Sequence, residues 1–262
     1  KKNLKIFGFF RSKKNLKKII KKKIIVHRID MNNFNNLKTK IKKINPDLIY
    51  HLATHAHVRE SFDKPILTTA NNTIITVNLL EAVRILKIKP LIIICSSSEV
   101  YGAVPKKDMP INEQQRIAPI NPYAATKSFQ DFISQIYHKS FNLKIIITRM
   151  FSYTNARNEK LFQTAFAKKI VQIENGKIQK LKHGNLSSIR TILDKDDAME
   201  AYWLAATKGH IGEIYNIGGA KTISVASFIS AHLIKFRIII KPIVPPRAFG
   251  TTYSSKFLAI FW

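Results

Sequence analysis

Three unbroken apolar runs, Lys5-Ile6-Phe7-Gly8-Phe9-Phe10, Ile24-Ile25-Val26 and Leu91-Ile92-Ile93-Ile94-Cys95, punctuate the chain. The first two predict short strands, and the third, a continuous apolar run, a strand buried on both faces of a parallel sheet. Between such runs the spacing becomes helical. Pro122 fits a first-turn position, and the run to about Phe141 places Phe129, Phe132, Ile133, Ile136 and Tyr137 on one apolar face. Asp194, Asp196 and Asp197 begin another helix, where carboxylates favour the dipole and read as caps, and Ala198, Ala201, Tyr202, Ala205 and Ala206 supply a closely packing face. Strands alternating with helices predict a three-layer α/β fold.

Candidate chemistry follows the third run. Ser96-Ser97-Ser98-Glu99-Val100-Tyr101-Gly102 sits at the C-terminal end of its strand, where open α/β sheets form their ligand crevice. Tyr123 and Lys127, four apart, project from one side of the Pro122 helix. An ammonium group one turn away favours the phenolate of a tyrosine whose ordinary pKa is near 10. With Ser97 holding a substrate hydroxyl, such a trio takes a proton from an alcohol while a nicotinamide takes the hydride.

Composition narrows the picture. At 262 residues and 45% hydrophobic content the chain has enough apolar surface for one large domain or two lobes. A net charge of +28 by itself predicts polyanion binding, but only Lys13 to Lys23 and Lys38 to Lys43 are dense patches, and Lys, Ile and Asn are all abundant. Compositional drift accounts for that charge, and nucleic acid is not expected as a partner. The single Cys95 lies in a strand as a small hydrophobe, which fits a reducing cytoplasm. No apolar run approaches the roughly 20 residues of a membrane helix, and the first residues lack the apolar core of a signal peptide. His51, His55 and His57 lack zinc spacing and read as cofactor or substrate neighbours rather than metal ligands.

Several ordered segments resemble the extended short-chain dehydrogenase/reductase (epimerase/dehydratase) family. They are Asn45-Pro46-Asp47 with Ile49-Tyr50-His51-Leu52-Ala53, His57-Val58-Arg59-Glu60-Ser61-Phe62, Asn78-Leu79-Leu80-Glu81-Ala82, the Ser96 to Gly102 segment, Asn121-Pro122-Tyr123-Ala124-Ala125-Thr126-Lys127, Gly184-Asn185-Leu186 and Glu213-Ile214-Tyr215-Asn216-Ile217-Gly218. Within the family the similarity is to GDP-mannose 4,6-dehydratases and GDP-4-keto-6-deoxymannose reductases. It implies a Rossmann-like doubly wound parallel sheet over residues 1–150 and a smaller substrate lobe with returning Rossmann elements over 151–262. Ser97, Tyr123 and Lys127 take catalytic positions, and Glu99 that of the acid/base distinguishing dehydratases. Leu52, Ala53, Tyr123 and Lys127 fall on cofactor positions, and His57, Ser98 and Arg190 on substrate positions, with Arg190 matching an arginine that grips the diphosphate. A homodimer or homotetramer is implied, through helices at about Pro65 to Leu86 and Tyr123 to Phe141.

The cofactor is expected to be NADP, with NAD as the alternative. Arg11, Ser12, Lys13 and Lys14 follow the first run where an acidic residue would bind the ribose of NAD, and Asp30 matches an aspartate beside the adenine. The sequence contains no GxGxxG or GxxGxxG, and its first run corresponds to the family's second strand. On that resemblance about 30 residues, one strand-turn-helix unit, are absent from the N-terminus and the chain reads as a fragment; were it complete, the sheet would be expected to lack a central strand and the cofactor its phosphate cradle, with little or no catalysis. Downstream, Ser152-Tyr153-Thr154-Asn155 replaces an Asn-His pair and a Gly-Pro-Gly turn of relatives, and the chain stops before the family's last helices. The activity implied is GDP-mannose 4,6-dehydration. The reductase of its product and other nucleotide-sugar epimerases or dehydratases are alternatives, as is a degenerate, noncatalytic polyanion-binding protein.

Overall fold

A computed structural model describes residues 4–11, 24–155, 161–181, 183, 185–235 and 256–260. The chain divides into two compact units, one of residues 1–150, 202–216 and 252–262, the other of residues 151–201 and 217–251. The first contains β1 (Lys5–Phe10), β2 (Ile24–Arg28), α1 (Phe34–Ile44), β3 (Leu48–His51), α2 (Val58–Asp63), α3 (Pro65–Ile85), β4 (Leu91–Ser97), α4 (Pro122–Phe141) and β5 (Ile145–Met150). There follow β6 (Ser152–Tyr153), α5 (Phe162–Glu174), β7 (Ile189–Leu193), α6 (Lys195–Lys208), β8 (Ile214–Ile217), β9 (Thr222–Ser224), α7 (Val225–Lys235) and β10 (Lys256–Ile260).

The main sheet has seven strands in the order β2-β1-β10-β3-β4-β5-β8. Every pairing from β2 to β5 is parallel. In the middle of the sheet the apolar runs are explained by burial on both sides, while the edge strand β2 leaves Ile25 exposed: Ile92, Ile94, Ile145 and Ile147 pack with Leu37, Ile41, Leu79 and Val83 of α1 and α3 on one face. Ile93, Cys95 and Ile146 face the opposite layer with Tyr50, Tyr202 and Ala206. Successive residues of one strand thus supply two cores, giving the three layers the pattern predicts.

One expectation is overturned. The sheet does not lack a central strand: β10 lies between β1 and β3, pairing Leu258 with Phe7 on one side and Ile49 on the other. Doubly wound sheets of order 3-2-1-4-5-6 place the first strand there. Here β1 takes the second place, as the sequence suggests, and the first is filled from the far end of the chain. The physical reason is that Lys256-Phe257-Leu258-Ala259-Ile260 is another short apolar run, and a gap between two parallel strands would leave two rows of backbone groups unpaired.

Helix ends follow local chemistry. Asn33 accepts from Asn36 N at 3.0 Å to cap α1, and Asn45 ends it with φ 45°. Asn121 caps α4, Pro122 opens it and Asn142 ends it with φ 55°. A second correction concerns which face α4 buries. Phe132 and Ile136 are 52% and 51% exposed, whereas Lys127, Ser128, Gln130, Asp131 and Ser134 are buried with Tyr137. The helix packs on α3, β4 and β5 largely through small and hydrogen-bonding side chains; of the predicted apolar face Tyr137 is buried and Ile133 packs on the core, but Phe132 and Ile136 lie outside.

In the second unit β6 runs parallel and β9 antiparallel to β7. Phe162 of α5 meets Phe228 of α7 edge-on, with ring centroids 5.6 Å apart. Asp194 caps α6 by accepting from Asp196 N at 2.8 Å, and that backbone bond holds its carboxyl below the usual carboxylate range. No helix among the described residues is long and apolar enough to cross a membrane.

Candidate active site

Parallel pairing places the ends of β1, β2, β3 and β4 along one edge of the sheet, and most of the candidate residues lie there. Arg11 follows β1 and Asp30 lies just beyond β2, where its Oδ1 accepts from Asn32 N and Nδ2, both at 3.0 Å. Ser12, Lys13, Lys14 and Gly184 lie outside the described residues. Leu52 and Ala53 continue from β3, with Ala53 fully buried, and the Oγ1 of Thr54 beside it is buried without a partner. Ser97 ends β4.

Ser97 then turns the chain. Its Oγ accepts from Glu99 N at 3.2 Å, capping a single 3-10 turn of Ser98–Tyr101. Gly102, at φ 66°, is required where the turn closes, because a Cβ there would fall 2.0 Å from Ala118 O. The Glu99 carboxylate returns toward α4, where its Oε2 accepts from Asn121 Nδ2 at 3.1 Å.

Tyr123 and Lys127 occupy the first two turns of α4, both buried. The ammonium of Lys127 lies 5.9 Å from the centre of the Tyr123 ring. It donates to the backbone oxygen of Cys95 at 2.7 Å and to Gln130 Oε1 at 2.9 Å. Burial pulls its pKa down to about 8, opposed by the proximity of Cys95 and Asp131. Thus one bond ties α4 to the strand that ends in Ser97, and another ties it to the turn that carries Glu99.

The histidines divide. His51 is in the interior, its Nε2 2.9 Å from Thr76 Oγ1, and burial together with Lys127 holds its pKa down to about 3. It therefore cannot meet a ligand directly, unlike the reading from sequence. His57 caps α2, its Nδ1 accepting from Glu60 N at 3.0 Å, and His55 lies 3.6 Å from Glu60. Arg190 belongs to the second unit, exposed on β7, its NH1 donating to Ile189 O at 2.9 Å.

Sequence reasoning missed the groups that hold this site. Asp131 Oδ2 and Arg149 Nε form a buried ion pair at 2.8 Å; Arg149 NH1 donates to Tyr101 Oη at 2.8 Å, and Tyr101 donates to Asn216 Oδ1 at 2.7 Å. Asn72 Nδ2 donates to Thr126 Oγ1 at 2.9 Å while its Oδ1 accepts from His55 N at 2.6 Å. Asn121 was within reach, since Asn before Pro at a helix start is a capping signal. Asp131 and Gln130, polar residues one turn beyond Lys127, carried no such signal. A cavity of about 530 Å³ lined by Glu113, Arg116, Phe132, Gln135, Arg149 and Glu213 includes none of Ser97, Glu99, Tyr123 or Lys127.

Comparison with known proteins fits this geometry. A family model described as GDP-mannose 4,6 dehydratase matches residues 4–244. A dTDP-D-glucose 4,6-dehydratase of Dictyostelium discoideum is 33% identical over 191 residues, 70% of this chain and 43% of that protein. A GDP-6-deoxy-D-mannose reductase of Pseudomonas aeruginosa is 29% identical over 174 residues, 66% of this chain and 57% of that protein. The chain thus spans about half the length of these relatives. Among solved structures, RMD from Pseudomonas aeruginosa complexed with NADPH superposes with a TM-score of 0.77 at 19% identity, covering 98% of this chain and 88% of that one, a likeness of fold.

Proposed function

Because the chain belongs to the GDP-mannose 4,6-dehydratase family, we propose that it removes water from a nucleotide-linked hexose, with GDP-mannose as substrate and NADP as cofactor. The observation that carries this reading is the joining of Glu99, through Asn121, to the helix that presents Tyr123 and Lys127. A simple dehydrogenation needs only the tyrosine and lysine. A carboxylate held at the same sheet edge adds a second base.

The residues present fit NADP in part. Arg11 and Asp30 offer a cation and an acceptor for the adenosine end, and the unpartnered Thr54 hydroxyl and the third N–H of Lys127 offer polar contacts along the same edge. The glycine-rich turn of a dinucleotide site is not among the described residues. When bound, the cofactor accepts a hydride and returns it. Ser97 hydrogen-bonds the sugar 4-hydroxyl, and Tyr123 takes its proton, with the Lys127 ammonium favouring the phenolate. Glu99 removes the C5 hydrogen as a proton once the 4-keto group has acidified it, and water leaves from C6. By the family resemblance His57 and Ser98 take substrate positions in the first unit, and Arg190, in the second, has a planar guanidinium suited to a diphosphate.

A reductase of the 4-keto product is the second reading, favoured by the reductase relative. Incubating the chain with GDP-mannose and NADP, and separately with the 4-keto-6-deoxy product and NADPH, distinguishes them. Accumulation of 4-keto sugar that stops in Glu99→Gln supports the dehydratase; NADPH consumption unaffected by that change supports the reductase; turnover of dTDP-glucose alone reassigns the base and sugar. We also propose a homodimer through α3 and α4, whose exposed Ile66, Leu67, Phe132 and Ile136 form apolar surface.

A further inference from the structure

Lys127 is a buried charge, 2% exposed, and what confines it is unusual chemistry for a helix interior. Gln130, one turn further along α4, is fully buried. Its Oε1 accepts from Lys127 Nζ at 2.9 Å and its Nε2 donates to Thr76 Oγ1 at 2.7 Å. The Thr76 hydroxyl spends its own proton on Asn72 O at 2.9 Å, so toward Gln130 it only accepts. The amide therefore has one workable orientation: reversed, its NH2 would face the ammonium and its oxygen would face a hydroxyl with no proton left to give. His51 Nε2, 2.9 Å from the same Thr76 oxygen, then carries the imidazole hydrogen and donates there, so its 3.3 Å approach to Gln130 Nε2 is a packing contact.

We propose that Gln130 is a positioning residue for Lys127: its side-chain carbonyl, oriented by Thr76, holds the ammonium group at the end of β4 with one N–H left for a ligand. This rests on the reading of Lys127 as the partner of Tyr123. A lysine side chain has four rotatable bonds, and only two fixed acceptors, Gln130 and the Cys95 carbonyl, keep this one in place. The charged or titratable groups around it are Asp131 and Tyr123 on α4, Cys95 on β4 and His51 on β3. His51 is kept neutral by burial and adds no repelling charge; Gln130 contributes an acceptor without a charge of its own.

Two readouts test the proposal on the full chain. In a proton–nitrogen spectrum of lysine-labelled protein, a buried hydrogen-bonded ammonium exchanges slowly with water and stays visible, and its signal is assigned by its loss in Lys127→Met. The expected result is that Gln130→Met loses that signal while circular dichroism and melting show a folded protein, and that Gln130→Glu, which keeps the acceptor, retains it. In turnover of GDP-mannose, Gln130→Met is expected to lower kcat about ten- to a hundredfold with KM changed less than about twofold. The alkaline limb of its pH profile should move to lower pH, because an acceptor for the charged form has gone; Gln130→Glu should move it the other way. An unchanged signal in folded Gln130→Met, or its loss in folded Gln130→Glu, overturns the proposal. If Gln130→Met does not fold, Gln130→Glu decides alone. Full activity in Lys127→Met overturns the role given to Lys127 in catalysis, while the spectrum still reports whether Gln130 holds it.

Discussion

Asn121 binds Glu99 with one end of its amide and the α4 backbone with the other: Nδ2 donates to Glu99 Oε2 at 3.1 Å, and Oδ1 accepts from Ala124 N at 2.7 Å. A helix cap and the placement of a candidate base are one side chain's work. The two roles separate by substitution.

Asn121→Ala removes both bonds, and is expected to cost about 1 kcal/mol of stability in urea unfolding, the usual loss of a cap. Asn121→Ser keeps a capping oxygen but cannot reach Glu99. Its stability should stay within a few tenths of a kcal/mol of wild type, while formation of 4-keto product falls about as far as in Asn121→Ala. Equal activity of Asn121→Ser and wild type would show that Glu99 needs no such hold.

The buried Asp131–Arg149 pair leaves little room for error, since both side chains are at most 3% exposed. Burial pushes Asp131 up, and Arg149 pulls it back. Asp131→Asn strands the guanidinium inside the protein, so its unfolding free energy should drop by about 3–5 kcal/mol. Replacing both residues with apolar ones should recover part of that loss, which a double-mutant cycle measures.

His51 makes stability depend on acid. Its pKa is about 3 when folded, against about 6.5 unfolded, so the unfolded chain binds more protons between those values. The stability present above pH 6.5 is therefore lost as pH falls toward 3, at a rate on the order of 1 kcal/mol per pH unit. Subtracting the pH dependence of His51→Asn, measured by urea midpoints, isolates this share from the carboxylates. A difference curve that stays flat from pH 7 to 4 would contradict the buried neutral imidazole.

Much of the sheet was legible because burial on both faces leaves an unmistakable run of apolar residues, as at Ile92-Ile93-Ile94. The C-terminal serines of β4 and the Tyr123–Lys127 spacing were legible for the same reason: strand end and helix pitch fix where those side chains go. The supports were not. Besides the local bonds of Gln130 to Lys127 and of Thr76 to Asn72, Gln130, Asp131 and Thr76 meet partners 18 to 54 positions away, and no local pattern announces such a partner. The same blindness half-misread α4, which buries Tyr137 and packs Ile133 on the core as its spacing predicts but also buries hydrogen bonds and leaves Phe132 and Ile136 outside.

Those two residues make the assembly testable. With Phe132 and Ile136 covered by a second copy, Phe132→Glu combined with Ile136→Lys should convert a sedimenting dimer to monomer without lowering the melting of the monomer itself. Sedimentation of the unaltered protein as a monomer at all concentrations sinks the dimer.

Pairing on both sides of β10 gives a further measurement. Leu258→Pro places a ring between the partners Phe7 and Ile49 and removes a ladder donor, so the cooperative unfolding transition should weaken by about 3 kcal/mol or vanish.

A seam closed by β10 also has a timetable. β1 gains its second neighbour only after residue 260 has been made, some 250 positions after β1 itself. Until then β1 and β3 each carry an open edge able to pair with whatever strand is nearest, including one from another nascent chain. Such distant pairing makes completion slow as well as late. The longer the half-built sheet waits for β10, the longer its open edges are exposed to misassembly.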